Sequence, residues 1–337
     1  MMMGDRSDFE ERHLSQLENL CGSFLNNLQR STNGFKHHIE FVDSVEKAKQ
    51  ACHHLRLFKE LAFDCEGVRL GKGGKLTLIQ FMAKDDRIFI FDVLALGQSV
   101  FQNTGLREIL ESREIWKVMF DCRGDSDSLW EEYRVKLTNV LDMQLFEYMV
   151  RPIAGTPLRD ARKPWHWRKE CIRGLDKTVS TYVQQSQLFS GTGIRDFETM
   201  KKNGGEIMNR CRTVWRYRPL HESLKRYAAL DVVILHLVKE ALTRKLPLHG
   251  LQLEKLEVAS DRYASVRRDC EKPDEVYIRN CLLISYIIPE ESYGRLKAFP
   301  REDTKCYGCR RMLCSSFVVG RICGDCREVE RVNSHRR

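Results

Sequence analysis

Three apolar runs joined by short polar turns constrain the fold most strongly, and they lie within residues 60–93. The runs LAFDCEG, LTLIQFM and RIFIFDV are separated by a glycine-rich turn and a Lys-Asp-Asp turn, which is typical of a β-meander. Downstream, the pattern predicts a helix over 105–112, a strand over 114–120, a helix over 125–133, and a strand then a helix over 139–150. This order predicts an α/β fold with a mixed central sheet, a three-strand meander and then parallel strands, flanked by helices.

The segments outside this region differ in composition. Residues 1–35 are polar and predict a flexible N-terminal extension or a loosely held helix. Residues 221–245 have a strong amphipathic helix pattern, and residues 251–269 also predict a helix. We therefore expect a main domain over 36–245, followed by a helical or irregular connector over 246–303.

The composition limits the partners and the compartment. Lys and Arg outnumber Asp and Glu by 56 − 47 = 9, and a positive balance favours polyanionic partners such as nucleic acid. No apolar run approaches the roughly 20 residues that cross a bilayer, so we expect no membrane association. Most of the 13 cysteines are scattered along the chain, unlike those of a small secreted disulfide scaffold. This distribution predicts an intracellular protein of the cytoplasm or nucleus.

Two carboxylates interrupt the first apolar run. Asp64 and Glu66 lie two residues apart, so a strand places both on one face of the sheet and Cys65 on the other. Side by side they repel each other, and a hard divalent cation between them would make the pair favourable. The alternative is that they form the solvent-exposed polar end of an ordinary strand.

Two further segments carry acidic residues that could join the pair. Asp121, Asp125 and Asp127 surround a strand-to-helix junction, where open α/β sheets place their ligands. They could equally cap the helix and interact with its dipole. Tyr227 and Asp231 are four residues apart on the helix over 221–245, hence on one face. Asp231 lies among apolar neighbours, and a carboxylate buried there is costly to stability unless it is paired or bound to metal.

Three motifs in this order, FDCEG, KVMFDCRGDSDSL and YAALD, resemble those of the DEDD superfamily of 3′-5′ exonucleases. The match is with the tyrosine-containing DEDDy branch, the group of ribonuclease D and the Werner-syndrome exonuclease. The first and second motifs, in DCEGVRLGKGGKLTLIQ and DCRGDSDSL, are most similar to the Egalitarian and exonuclease-3′-5′-domain-containing group. The resemblance covers about residues 36–245 and implies a DEDDy exonuclease domain with a ribonuclease H-like fold.

The resemblance also implies roles for individual residues. The implied ligands of two catalytic Mg²⁺ or Mn²⁺ ions are Asp64, Glu66, Asp125 and Asp231. Asp121, one residue after the strand, is the rival of Asp125 for the second motif. Tyr227 would orient the attacking water, because its unperturbed pKa near ~10 makes it a poor base at neutral pH. The implied reaction is two-metal hydrolysis that releases 5′-mononucleotides from a free 3′ end.

Two functions follow from the resemblance. The first is a metal-dependent 3′-5′ exonuclease acting on single-stranded nucleic acid, with RNA favoured over DNA. The second is a catalytically silent RNA-binding adaptor or scaffold that retains the exonuclease fold, because relatives in this group include members that bind RNA or partners without clear catalysis. The presence of all five motif residues favours the enzyme.

A basic and aromatic segment lies between the second and third motifs. Cations suit phosphates and aromatic faces suit unpaired bases, so this segment is a candidate nucleic-acid surface. Its candidate binding residues are Arg162, Lys163, Trp165, Trp167, Arg168 and Lys169. The alternative is that the tryptophans are core anchors and the charged residues a solvated rim.

Near the C-terminus, two CxxC pairs predict a small zinc module over residues 304–328. Thirteen residues, 310 to 322, separate the two pairs, and this spacing is a strong signal for structural Zn²⁺. The predicted ligands are Cys306, Cys309, Cys323 and Cys326. We expect a zinc ribbon or treble-clef-like knuckle that contacts nucleic acid, binds a protein partner, or serves structure alone.

Overall fold

The computed structural model describes residues 4–151 and 173–265. The basic and aromatic cluster over 162–169, the connector beyond residue 265 and the four predicted zinc ligands lie outside the described residues.

Between residues 60 and 150 and from residue 221 onward, the helices and strands of the described residues fall largely where the sequence predicts them. In chain order they are α1 (Gly4–Thr32), β1 (Ile39–Val42), α2 (Val45–Leu55), β2 (Glu60–Val68), β3 (Lys75–Met82), β4 (Ile88–Asp92), α3 (Val93–Leu96), α4 (Ser99–Gln102), α5 (Leu106–Glu111), β5 (Trp116–Met119), α6 (Arg123–Tyr133), β6 (Val140–Asp142), α7 (Met143–Val150), α8 (Leu175–Tyr182), α9 (Gln185–Thr192), α10 (Phe197–Arg210), α11 (Glu222–Thr243) and α12 (Gly250–Ser265).

The strands form one six-stranded mixed sheet in the order β1-β4-β3-β2-β5-β6. Strands β2, β3 and β4 are antiparallel neighbours and form the predicted meander. Strand β5 pairs in parallel with both β2 and β6, and the edge strand β1 pairs in parallel with β4. The predicted mixed central sheet is therefore confirmed.

Strands β3 and β4 are largely apolar on both faces of the sheet. Strand β4 is buried along its whole length, as is most of β3, so their sequences are apolar runs rather than alternating patterns. Phe63 stacks on Phe81 with ring centroids 4.8 Å apart, and Phe91 meets Phe81 edge to face. These ring contacts help to fix the register in which β2, β3 and β4 pair.

Helix α11 packs across one face of the sheet against β2 and β3. His221 begins it by accepting the backbone N–H of Ser223 at the N-cap position. The middle of the helix, from Tyr227 to Leu235, is buried on all sides. This packing directs the tyrosine and aspartate of the third motif toward β2.

The N-terminal segment forms a helix whose second half packs on α10 and α11. Leu17, Cys21, Leu25 and Leu28 are buried in that contact. The sequence predicted only an extension or a loose helix because each turn supplies one apolar residue among many charged ones. The narrow stripe at this spacing is nevertheless sufficient to attach α1 to the domain.

A buried carboxylate joins α7, α8 and the chain that enters α8. Glu147 is fully buried and accepts from Arg151 at 2.6 Å, from Arg173 at 3.1 Å and from the Tyr182 hydroxyl at 3.1 Å. Two cations and a hydroxyl therefore satisfy one carboxylate, which makes the burial of its charge tolerable.

None of the helices described here has the length and apolar character needed to cross a membrane.

Candidate active site

Strand β2 presents two acidic side chains on one face of the sheet. Asp64 and Glu66 are half-buried there, whereas Cys65 is buried on the opposite face. The pairing of β2 with β3 shifts register between Glu66 and Gly67. A Cβ at Gly67 would lie 2.3 Å from the Lys75 carbonyl oxygen, so only glycine permits this close approach. The strand therefore bends directly after its second carboxylate.

Helix α11 brings a third carboxylate to this pair. Ligand oxygens of Asp64, Glu66 and Asp231 all lie within 4.8 Å of one another. Asp231 is buried, with 7% of its surface exposed. The structure thus brings together three residues that are up to 167 positions apart (231 − 64).

Burial raises the pKa of all three carboxyls, and the charge of neighbouring carboxylates in the cluster adds to the pKa shift of Asp64 and Glu66. Burial and the charge of Asp231 raise the pKa of Asp64 to about 8. Burial, followed by the charges of Asp64 and Asp231, raises the pKa of Glu66 well above its ordinary value. Burial also raises the pKa of Asp231. A hard divalent cation would relieve this repulsion, and three clustered carboxylates are the oxygen donors that Mg²⁺ and Mn²⁺ prefer.

A polar side chain also lies beside the cluster. Gln80 is directly opposite Asp64 in the β2–β3 pairing and is fully buried. Within 4–151 and 173–265, neither its side-chain nitrogen nor its oxygen has a hydrogen-bond partner. Such groups are rare in protein cores. Besides the carboxylates, this face of the sheet therefore carries the amide oxygen and nitrogen of Gln80.

Asp125 borders the cluster without belonging to the group of three. It is buried in the first turn of α6. Its charge contributes to the raised pKa of Glu66, although less than burial and the nearer carboxylates do. Its charge also contributes, after burial, to the raised pKa of the Cys65 thiol. Asp125 therefore lies close enough to act electrically on β2.

Asp121 is already paired with a cation. Its backbone has a φ of 57°, and its two carboxylate oxygens accept from Arg123 at 2.5 and 2.6 Å. The Arg123 guanidinium lies 4.6 Å from the ring centroid of Tyr263 on α12. This bidentate pair joins the start of α6 to α12, where the Ser260 hydroxyl also accepts from the backbone N–H of Asp142.

Tyr227 lies one turn before Asp231 and is nearly enclosed, with 6% exposure. Its ring packs against Trp215, with centroids 6.3 Å apart. A Cβ at Gly204 of α10 would lie 2.1 Å from the Tyr227 ring, so the glycine gives the ring its space. Burial raises the pKa of Tyr227, which lowers the fraction of tyrosinate that could act as a base near neutral pH.

Lys201 of α10 is a site residue that the sequence did not predict. Its Nζ lies 2.7 Å from Asp231 Oδ1 and 4.5 Å from the Tyr227 ring centroid. Its charge lowers the pKa of all three clustered carboxyls and so partly offsets their repulsion. Burial opposes the charged form of Lys201, but Asp231 and Tyr227 outweigh that effect and raise its pKa. A Lys-Lys pair in a charged stretch gave no sign of this position.

Comparison with known proteins places the domain in a family. Residues 39–247 match a family model described as a 3′-5′ exonuclease. The human piRNA biogenesis protein EXD1 is 28% identical over 190 residues, which are 56% of this chain and 33% of that protein. The Xenopus laevis protein of the same name is 40% identical over 95 residues, 28% of this chain and 21% of that protein. The chain thus spans a third or less of the length of these curated relatives.

Solved structures agree. Trypanosoma brucei RNase D is 25% identical, with a TM-score of 0.54 over 68% of this chain and 73% of that one. Its complex with RNA U12 is 23% identical, with a TM-score of 0.52 over 71% and 73% of the two chains, and supports the fold. The α/β fold is therefore the ribonuclease H-like exonuclease fold, and the chain belongs to the 3′-5′ exonuclease family.

Proposed function

We propose that this protein is a divalent-metal-dependent 3′-5′ exonuclease that releases 5′-mononucleotides from single-stranded RNA. The observation that carries the proposal is the group of three carboxylates, from two separate elements, whose oxygens lie within 4.8 Å of one another. Their mutual repulsion is a cost to the fold that a bound cation would remove.

Asp64, Glu66 and Asp231 would hold two Mg²⁺ or Mn²⁺ ions, with Asp125 as the fourth ligand. When bound, such a pair activates water and stabilises the leaving 3′ oxygen. Asp125 is the better candidate from the second motif because its charge reaches Glu66, whereas Asp121 is held by Arg123. Asp125→Asn should abolish hydrolysis. Asp121→Asn should mainly lower the unfolding temperature, and the reverse pattern would exchange the two roles.

Tyr227 orients the attacking water rather than deprotonating it. Burial raises the pKa of its hydroxyl, so at neutral pH the group is a hydrogen-bond donor that can also accept. Its ring is fixed between Trp215 and the backbone at Gly204, which supplies the positional precision that water orientation needs.

RNA is favoured over DNA because the similar proteins bear RNA-related names, a piRNA biogenesis protein and an RNase D. The formal charge of +9 also suits a polyanionic substrate. We assign single-strand contact to Arg162, Lys163, Trp165, Trp167, Arg168 and Lys169, with the tryptophans stacking on bases.

A second candidate function is an RNA-binding adaptor without catalysis. The observation that favours it is the ion pair of Lys201 with Asp231, since a permanent internal cation would leave less room for metal.

The experiment that separates the two uses a 5′-labelled single-stranded RNA with Mg²⁺ or Mn²⁺. The exonuclease gives a ladder of shortening products that disappears with EDTA and with Glu66→Gln. Glu114→Gln, a change at an exposed glutamate, is the matched control and should retain activity. RNA binding without shortening in either metal would refute the enzyme and support the adaptor, and the same assay on DNA measures the preference.

We also propose that Cys306, Cys309, Cys323 and Cys326 hold one structural Zn²⁺, and that this module contacts nucleic acid or a protein partner in the cytoplasm or nucleus. One equivalent of zinc in the purified protein, lost on Cys306→Ser, is the expected result. A metal content unchanged by that substitution would contradict it.

A further inference from the structure

Helix α10 places the ammonium of Lys201 beside the three clustered carboxylates. The Lys201 ammonium contacts Asp231 and lies over the ring of Tyr227, and its side chain is 14% exposed. Among the residues that the structure describes, no other lysine or arginine forms an ion pair with Asp64, Glu66 or Asp231. One ammonium therefore serves as counter-ion to three clustered carboxylates.

Helix α10, which carries Lys201, packs against α1. Asn203 of α10 donates to the carbonyl of Asn27 at 3.4 Å and to the Ser31 hydroxyl at 3.5 Å, both on α1. On its front, Gly204 lies directly against the Tyr227 ring. Helix α10 is thus packed between α1 and the site, and the long side chain of Lys201 can change its position relative to Asp231 without movement of the helix.

A divalent ion and the ammonium would compete for the carboxylate of Asp231. A divalent ion bound by the three carboxylates needs an oxygen of Asp231 at about 2.0–2.1 Å for Mg²⁺, within a cluster that Lys201 already contacts. Two cations so close together repel each other strongly in a partly buried site. The attraction that holds Lys201 at Asp231 therefore weakens as soon as metal enters.

We propose that Lys201 is an internal counter-ion that occupies Asp231 in the metal-free site and gives it up when a divalent ion binds. Lys201 is thus a positioning residue, and its displacement sets how tightly the site holds metal. This inference rests on the proposed metal-dependent function and deepens it. It explains why three carboxylates can be clustered before any metal arrives.

The first test measures Mn²⁺ affinity by titration of free Mn²⁺ followed by electron paramagnetic resonance. Lys201→Met removes the competing charge and keeps the side-chain length, so Mn²⁺ should bind about tenfold more tightly, the scale of one charge-assisted hydrogen bond. Lys202→Met, at the exposed neighbouring lysine, is the matched control and should bind as the wild type does. Equal or weaker Mn²⁺ affinity in Lys201→Met overturns the inference.

The second test needs no variant, so a folding defect cannot obscure it. In a crystal structure of the wild-type protein with Mn²⁺, Lys201 Nζ should lie beyond hydrogen-bond distance of both Asp231 oxygens. An ion pair that persists beside bound Mn²⁺ overturns the inference while leaving the proposed function intact. If neither wild type nor variant binds Mn²⁺, the proposed metal-dependent function fails with it.

Discussion

Lys117 provides a test of the burial energetics away from the carboxylates. It is fully buried in β5, and its Nζ donates to the carbonyls of Ser112 at 2.7 Å and Ile109 at 3.3 Å. Burial lowers its pKa from the ordinary 10.5 to about 7. Between these two values the folded protein binds fewer protons than the unfolded chain, so this residue makes the free energy of unfolding rise with pH.

The magnitude follows from the two pKa values. At about 1.4 kcal/mol per pH unit, the full span from about 7 to 10.5 corresponds to about 5 kcal/mol as an upper bound. Replacing Lys117 with Met removes this dependence and leaves neither carbonyl unpaired. Thr138 Oγ1 still donates to the Ser112 carbonyl at 3.2 Å, and the Ser112 backbone N–H still donates to the Ile109 carbonyl at 3.3 Å.

The assay is urea unfolding followed by circular dichroism from pH 6 to pH 10. The stability of Lys117→Met relative to the wild type should be highest at pH 6. That advantage should fall by up to about 1.4 kcal/mol per pH unit above pH 7. Lys59→Met, at an exposed lysine, is the matched control and should give a curve parallel to the wild type. Parallel curves for Lys117→Met and wild type would refute the reasoning.

Three further predictions concern the site and its support. Gly204→Ala should displace the Tyr227 ring and so reduce turnover at least about tenfold, whereas Mn²⁺ affinity should be unchanged. Gly205→Ala, where an added Cβ meets nothing within 4 Å, is the control. Equal turnover rates in the two variants would contradict this reasoning. Glu147→Gln should lower the free energy of unfolding by about 3 kcal/mol in urea, since two guanidinium groups lose their buried counter-charge; an unchanged midpoint is the contrary result. Mn²⁺ should raise the unfolding temperature more at pH 8 than at pH 6, because the raised pKa of Asp64 makes the metal-free fold less stable as pH rises; an equal rise at both would argue against it.

The sheet was predictable because its signals are local. Strands β2, β3 and β4 are apolar runs bounded by turn residues, and the four-residue spacing of Tyr227 and Asp231 defines one helix face. The chemistry of the carboxylates also supplied a reason for them to meet. These features depend on residue type and on spacing within one element, which a single sequence contains.

The supporting contacts were not predictable because they join distant segments through side chains of common type. Lys201 is one of two adjacent lysines, and it reaches the site because the fold turns its face of α10 toward Asp231, whereas Lys202 is exposed. The pairing of Asp121 with Arg123 depends on a left-handed backbone conformation at Asp121 that its sequence context does not indicate. The packing of α1 depends on a surface that α10 and α11 create only after folding.

The ion pairs of Glu147 with Arg151 and Arg173 have a consequence for how the domain can change over evolution. Arg151 and Arg173, the described residues on either side of segment 152–172, are fixed to one carboxylate. These pairs tie the chain at residues 151 and 173 to one point on α7, so a change in the composition of segment 152–172 need not move the ends of α7 and α8.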